Sequence, residues 1–240
     1  MDHRDIYAHH ADAYDELVAA EDCDGRLVPA LQAALAAIPG GGLALDRARV
    51  VEVGAGTGRI TRLLAQAGAE ILATEPSPAM LEVARRHLPD HPRVRFAQAA
   101  ADAVPVADGW ADVGIAGWVF GHFRMWMPAE WQTLVGRALA ELERAVRPGG
   151  AVIVIETLGT GETEPAPPSP GLGEYYRWLE DRGFARTWIR TDYGFADVEE
   201  AARVGGFFFG PEFAERARDN GWQRVPECTG LWTWHKDASS

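Results

Sequence analysis

Short apolar runs rich in β-branched residues alternate with segments of helical period from residue 49 onward, and this alternation restricts the fold more than any other feature of the sequence. Runs that are apolar at nearly every position suit strands covered on both faces, as in a parallel sheet flanked by helices. The alternation therefore predicts a doubly wound α/β domain with a mostly parallel, seven-stranded sheet. The predicted strands span residues 50–53, 70–75, 93–98, 111–117, 151–155, 187–191 and 223–234.

The regions on either side of these strands predict a cap and a lid. Apolar residues recur at helical spacing before the first strand, so residues 1–45 are expected to form a helical N-terminal cap ahead of a main domain that spans 46–240. Residues 159–173 are rich in Pro and Gly and lack periodicity. Because a long loop in a compact domain is usually functional, this segment predicts a lid over 157–182.

The charge of the chain argues against polyanionic partners. Its 35 acidic residues exceed its 23 basic ones and give a net charge of −12, and no basic stripe interrupts the negative field. Such a field repels nucleic acid and anionic membrane surfaces. No apolar stretch approaches the roughly 20 residues of a membrane span, and the first residues lack the pattern of a secretion signal. We expect a cytoplasmic protein that binds neither nucleic acid nor membranes.

The cysteines and histidines give no sign of a disulfide framework or a metal site. Cys23 and Cys228 lie far apart in the sequence, and neither belongs to a pair with the spacing of zinc ligands. The pair His9 and His10 lacks a third ligand at suitable spacing. We therefore expect two buried or inert thiols and no bound metal.

A glycine-rich turn joins the first predicted strand to a helix, and three kinds of ligand compete for it. The run GAGTG over 54–58 lets backbone N–H groups approach a ligand at the helix N-terminus. A P-loop is excluded because no Gly-Lys-Ser/Thr follows. A dinucleotide fingerprint needs a third glycine where this chain has Arg59. Glu75, 19 positions after Gly56, suits a ribose diol, so the turn favours an adenosine-type ligand.

Four segments together resemble the successive motifs of class I S-adenosylmethionine-dependent methyltransferases. They are VVEVGAGTG over 50–58, EPS over 75–77, DAVP over 102–105 and RPGG over 147–150. The similarity covers about residues 45–156 and is greatest for the small-molecule branch that includes quinone-biosynthesis enzymes. The resemblance implies a Rossmann-like methyltransferase fold and S-adenosylmethionine as the cofactor.

The resemblance also implies which residues contact the cofactor. The loop glycines would lie against its methionine part, and Glu52 would order the loop and favour the cationic amino group. Glu75 would accept hydrogen bonds from the ribose hydroxyls, and the segment around Ala101 would meet the adenine. The full set of implied cofactor contacts is Tyr14, Glu52, Gly54, Ala55, Gly56, Thr57, Gly58, Arg59, Glu75, Pro76, Ala101, Asp102 and Gly117.

The acceptor side carries weaker signals. Methyl transfer needs alignment and exclusion of water, and a base only where the acceptor is a neutral hydroxyl or a protonated amine. His122 follows the fourth predicted strand, at the sheet edge where open α/β folds bind ligands, and is either a catalytic base or a structural histidine. The predicted substrate contacts are Tyr7, Trp118, Tyr175 and Tyr176, for which a core position is the alternative.

These observations predict a methyltransferase acting on the oxygen, nitrogen or carbon of a small-molecule acceptor. Methyltransferases that modify amino groups of nucleobases carry an Asn/Asp-Pro-Pro-aromatic run after the fourth strand, where this chain has GWVF over 117–120. Two alternatives stay open. One is an NAD-dependent oxidoreductase, and the other is a non-catalytic S-adenosylmethionine-binding module.

Overall fold

A computed structural model describes residues 3–39 and 41–238. The chain begins with three helices, α1 (His3–His9), α2 (Ala11–Ala20) and α3 (Leu27–Ala36), followed by a 3₁₀ turn over Leu45–Arg47. Helix α3 buries Leu27, Leu31 and Leu35 against the sheet, because residues four apart lie on one face of a helix. The segment predicted as a cap, 1–45, thus contains three helices joined by short turns, and residues 1, 2 and 40 lie outside the described residues.

The centre of the molecule is a seven-stranded sheet, as predicted. The strand order is β3-β2-β1-β4-β5-β9-β6. The first five strands in this order are parallel to one another, and β9 is antiparallel to both of its neighbours, β5 and β6. The strands span Arg49–Val53 (β1), Glu70–Glu75 (β2), Val94–Gln98 (β3), Ala111–Gly117 (β4), Val146–Thr160 (β5), Ala185–Arg190 (β6) and Glu227–His235 (β9); a separate ribbon pairs Tyr193–Gly194 (β7) with Arg224–Val225 (β8).

Helices cover both faces of the sheet, so that strand residues alternate between two cores. In β5, Val152 and Val154 face one core, and Ile153 and Ile155 face the other. This double coverage explains why β5 reads as a continuous apolar run. The helices after β1 are α4 (Arg59–Gln66), α5 (Pro78–His87), α6 (Phe120–Trp126), α7 (Trp131–Ala145), α8 (Pro170–Glu180), α9 (Val198–Phe209) and α10 (Pro211–Asp219).

Strand β5 differs from the prediction at both ends. Ala111 pairs with Val146 and Val113 with Ala151, so the RPGG run bulges out within the strand instead of preceding it. At the other end, β5 stays paired with β9 as far as Thr160. The predicted strand over 223–234 is divided at Pro226, which has no N–H to donate to a ladder.

The lid predicted over 157–182 does not form as a separate segment. Its first residues belong to β5, and helix α8 begins at Pro170 with Ser169 as its N-cap. Helix α8 buries one face, formed by Leu172, Gly173, Tyr175, Tyr176 and Leu179, in the core beneath α7. The prediction failed because Pro and Gly in this segment mark a short connection and a helix start.

The last helices pack against the N-terminal ones. Helices α9 and α10 form a cluster with the ribbon of β7 and β8, and Leu17 of α2 joins this cluster. Asp197 caps α9 by accepting a hydrogen bond from the N–H of Glu200 at 2.8 Å. The described part of the chain contains no helix with the length and hydrophobicity that a membrane crossing requires.

Candidate functional site

A cavity of about 480 Å³ lies at the carboxyl ends of β1, β2 and β4, beneath helices α1 and α2. Open α/β sheets bind ligands at this edge, where the strand order reverses between β1 and β4. Most predicted site residues line it: Tyr7, Tyr14, Glu52, Gly54, Ala55, Gly56, Thr57, Arg59, Glu75, Pro76, Ala101, Asp102, Gly117, Trp118 and His122.

The three loop glycines serve different purposes. All have positive φ, which disfavours other residues. A Cβ on Gly54 would lie 2.4 Å from a methyl of Val119, and one on Gly58 would lie 3.2 Å from Ala84, so both are required for packing within the protein. A Cβ on Gly56 would meet only the Tyr14 ring at 3.9 Å. Gly56 therefore leaves room for a ligand, whereas Gly58 lies behind the loop.

Glu75 ends β2 and fastens the glycine loop to the start of α5. Its side chain accepts hydrogen bonds from the N–H of Gly56 at 3.1 Å and of Ser77 at 2.9 Å. Burial raises the pKa of Glu75, although these two bonds oppose the rise. Since each carboxylate oxygen can accept more than one hydrogen bond, Glu75 keeps acceptor capacity towards the cavity.

Glu52 is a buried acid inside β1, with 1% of its surface exposed. Its Oε2 accepts a hydrogen bond from the Thr61 hydroxyl at 2.6 Å. Burial raises the pKa of Glu52 to about 8, and the neighbouring charge of Glu75 adds to the rise. A cationic group in the cavity would favour the ionised form, because opposite charges stabilise each other where water is excluded.

Thr57 and Arg59 place polar groups at the other end of the loop. Within the described residues, the Thr57 hydroxyl and the Nη2 of Arg59 are buried without a hydrogen-bond partner. Arg59 is held by Glu21 of α2, whose Oε2 lies 2.5 Å from Nη1, and by the ring of Trp118, 3.7 Å from Cζ. A bulky cation thus stands where a dinucleotide fingerprint needs glycine. An unpartnered buried hydroxyl beside an open glycine fits a polar ligand tail.

Helix α1 crosses the cavity and is joined to both of its sides. The Ser77 hydroxyl donates to the Tyr7 carbonyl oxygen at 3.1 Å, and the Tyr7 hydroxyl lies 3.0 Å from Nε2 of His122. The His122 ring stacks on Trp126, with centroids 4.6 Å apart. Burial raises the pKa of Tyr7 well above its usual value, so its hydroxyl stays protonated at neutral pH. The cavity mouth is therefore lined by aromatic rings and by the imidazole of His122.

Tyr175 and Tyr176 do not line the cavity and belong to the core. The Tyr175 hydroxyl donates to Glu156 at 3.3 Å, and the Tyr176 hydroxyl donates to the Thr157 carbonyl oxygen at 2.7 Å. Tyr176 also packs on Trp232, with ring centroids 4.6 Å apart. The prediction that these tyrosines wall the acceptor is corrected for a physical reason, because α8 turns its aromatic face inward.

Sequence reasoning missed Glu21 and Glu156. Glu21 is the partner of Arg59, and nothing in the helical pattern of the cap distinguishes it. Glu156 follows the apolar run of β5 and is 3% exposed. A buried acid at the end of an apolar strand is the signal that singled out Glu52, so the same test would have found Glu156. Among the described residues, no group of three His, Cys, Asp or Glu side chains could hold a metal ion.

Comparison with known proteins identifies a methyltransferase domain in this part of the chain. Residues 51–154 match the family model described as a methyltransferase domain. A demethylmenaquinone methyltransferase of Thermus thermophilus is 34% identical over 140 residues, which are 56% of each chain. A malonyl-[acyl-carrier protein] O-methyltransferase of Pectobacterium atrosepticum is 33% identical over 113 residues, 47% of this chain and 40% of the relative. The chain thus spans about half the length of these curated relatives.

The fold has counterparts among solved structures. A SAM-dependent methyltransferase from Aquifex aeolicus superposes with a TM-score of 0.51 at 17% identity, over 88% of this chain and 93% of the other. At this identity the likeness shows the fold alone, and the family match covers β1 to β5, which carry the glycine loop and Glu75. The segment that carries the glycine loop and Glu75 therefore matches a methyltransferase domain.

Proposed function

We propose that this protein transfers a methyl group from S-adenosylmethionine to a small-molecule acceptor at oxygen, nitrogen or carbon. The observation that carries the proposal is the Glu75 side chain, which binds the Gly56 N–H and still borders the cavity. One acid therefore fixes the open glycine of the loop and presents acceptor oxygens to a ribose diol. The orphaned Thr57 hydroxyl and the buried acid Glu52 extend the same cradle.

The residues present fit this cofactor along its length. Ala101 and Asp102 would meet the adenine, Glu75 the ribose, and Glu52 the cationic amino group, while Thr57 and Arg59 would hold the polar tail. When bound, S-adenosylmethionine supplies an electrophilic methyl group attached to a sulfonium. The protein's contribution is to align the acceptor with that methyl and to exclude water.

Helices α1 and α2 supply the exclusion, and His122 handles a proton. Tyr7 and Tyr14 cover the glycine loop and the cavity mouth, with ring centroids 5.2 Å apart. His122 borders the cavity and would take a proton from an acceptor hydroxyl or amine. Tyr7, at 3.0 Å from Nε2, would orient the imidazole. Trp118 and Trp126 add apolar walls that suit an acceptor with a planar or apolar body.

We further infer a cytoplasmic location and an acceptor other than nucleic acid. The net charge of −12 disfavours polyanions, and the two cysteines are free thiols, which suits a reducing compartment. Of the relatives described above, one is named for demethylmenaquinone and the other for malonyl-[acyl-carrier protein]. The cavity of about 480 Å³ supports a small acceptor group.

Calorimetry followed by turnover tests the proposal. We expect S-adenosylhomocysteine to bind with micromolar or better affinity and NAD to give no heat of binding. A panel of phenols, amines and quinols should then yield S-adenosylhomocysteine from S-adenosylmethionine with at least one member. Tight NAD binding without a response to S-adenosylhomocysteine would establish the oxidoreductase alternative. Cofactor binding with no turnover across the panel would support the non-catalytic module.

A further inference from the structure

Glu156 lies one position beyond Ile155, which pairs with Gly117 at the end of β4, and its carboxyl group points at the start of α6. It is 3% exposed and is not among the residues that line the cavity. Its Oε1 accepts hydrogen bonds from the N–H of Gly121 at 2.9 Å and from the Tyr175 hydroxyl at 3.3 Å. A buried acid with these contacts has a defined partner in the backbone of α6.

Helix α6 depends on Glu156 because it has no cap of its own. Val119, at its N-cap position, makes no side-chain capping hydrogen bond. The first N–H groups of a helix need acceptors, and a carboxylate is the strongest of the common ones. Glu156 supplies it from a neighbouring strand. The preceding residue, Trp118, has a φ of +55°, so the entry to α6 is also strained and must be held by its surroundings.

The close approach of Glu156 also restricts which residue can occupy position 121. A Cβ at this position would lie 3.1 Å from Oε2 of Glu156 and 3.2 Å from a methyl of Leu172. The helix start therefore approaches β5 and α8 closely only because residue 121 is glycine. The next residue in the chain is His122, whose ring is fixed by Tyr7 on one side and by Trp126 on the other.

We propose that Glu156 is a positioning residue for His122, acting through the Gly121 N–H and the first turn of α6. Glu156 fixes the backbone beneath the imidazole, while Tyr7 holds its Nε2 from the cap. The two contacts come from distant parts of the chain, so the imidazole reaches its place only when β5, α6 and α1 are assembled. The inference rests on the proposed function, in which His122 takes the acceptor's proton.

The charge on Glu156 also affects Tyr7, whose hydroxyl contacts His122. Burial raises the pKa of Glu156 to about 7. The pKa of Tyr7 is raised by burial first, and then by the charges of Tyr14, Glu75 and Glu156. The Glu156 carboxylate therefore acts electrostatically on the hydroxyl that bonds to His122, in addition to holding the backbone.

The test is the Cε1–H resonance of His122 in protein labelled with ¹³C-histidine, assigned with His122→Gln. Because Trp126 stacks on the ring, a displacement changes the ring-current shift of this resonance. We expect Glu156→Ala and Gly121→Ala to move it several-fold more than the other histidine resonances. Glu156→Gln, which keeps an oxygen for the Gly121 N–H, should restore most of the original shift.

Asp112→Ala is the matched control, because the Asp112 side chain accepts the Arg49 N–H at 2.8 Å at the opposite edge of the sheet. It should lower the Tm without moving the His122 resonance. The proposal is overturned if Glu156→Ala and Gly121→Ala leave that resonance in place while lowering the Tm. The resonance needs no ligand, so a failure to bind S-adenosylhomocysteine would contradict the proposed function and leave the positioning result intact.

Discussion

The two halves of the sheet's carboxyl edge both bury acids, and they use them differently. Glu52 and Glu75, on β1 and β2, border the cavity. Glu156 and Glu227, on β5 and β9, are equally buried and lie away from it, with Glu227 accepting the Thr157 hydroxyl at 2.6 Å. Burial raises the pKa of all four. Burial and a perturbed pKa therefore do not distinguish a ligand site from a structural contact.

The acids that border the cavity differ from those that do not in what covers the ends of their strands. After β1, a glycine loop leaves space above the acids, and Gly56 opens directly onto it. After β5, helix α8 fills the equivalent space with Tyr175 and Tyr176. Ligand-binding acids are those whose neighbours leave a hydrogen-bonding direction open.

The largest effect on stability should come from removing a buried aromatic ring of α8 on the β5 side of the sheet. Tyr176→Ala deletes a buried ring that packs on Trp232, and we expect it to lower the free energy of unfolding by about 3–5 kcal/mol. Affinity for S-adenosylhomocysteine should stay within about two-fold where the variant is folded. Denaturant unfolding and calorimetry measure the two effects. Trp188→Ala, at an exposed position of β6, is the control and should cost less than about 1 kcal/mol. A large loss of affinity for S-adenosylhomocysteine in Tyr176→Ala would indicate that α8 contributes to the binding site.

The second-largest effect should be a loss of cofactor affinity, caused by removing an acid at the end of β2. Glu75→Ala removes the acceptor for the Gly56 N–H and for the ribose, and we expect the affinity for S-adenosylhomocysteine to fall about 100-fold, or about 2.7 kcal/mol. Glu70→Ala, at the other end of the same strand, should leave the affinity unchanged. Equal affinities for the two variants in calorimetry would remove the ribose assignment.

The pH dependence of stability compares the two sides directly. The pKa of Glu52 rises on folding from 4.5 to about 8, so within this window the folded state holds a proton that the unfolded state has lost. Stability therefore falls as pH rises through the window, by up to about 1.4 kcal/mol per pH unit. Glu52→Gln should flatten the slope in denaturant titrations.

The pKa of Glu156 rises on folding from 4.5 to about 7, so Glu156 contributes to the fall in stability only between these pH values. S-adenosylhomocysteine should reduce the Glu52 contribution, because its amino group favours the ionised acid, and should leave the Glu156 contribution unchanged. An unaltered slope in Glu52→Gln would contradict the assigned shift.

The smallest effects come from two serine caps. Ser77 caps α5 by accepting the Met80 N–H, and Ser169 caps α8 by accepting the Leu172 N–H. Each change to Ala should cost about 1 kcal/mol of stability. Only Ser77→Ala also releases the Tyr7 carbonyl oxygen and loosens α1, so it alone should weaken S-adenosylhomocysteine binding by a few-fold. Thermal unfolding and calorimetry on both variants separate capping from closure of the cavity, and equal binding by both would argue against a role for α1.

The strands and most of the residues that line the cavity at the glycine turn were predictable because their signals are local. Strand β2 and strand β4 have the bounds that the sequence predicts, since each is a short, mostly apolar run that begins two residues after a glycine. The glycine turn and Glu75 are fixed by spacing along the chain. Helix α8 was not predictable in the same way, because Tyr175 and Tyr176 carry the same aromatic signal whether they face a ligand or the core.

The sequence by itself determined the sheet, the glycine turn and the acids that end its strands, because each depends on residues close together in the chain. Only the tertiary structure decided which acids face a cavity and which residues meet His122. Glu156 approaches α6 across 35 residues, and Tyr7 approaches His122 across 115. Contacts over such distances depend on how helices pack on the sheet, and no local pattern encodes that packing.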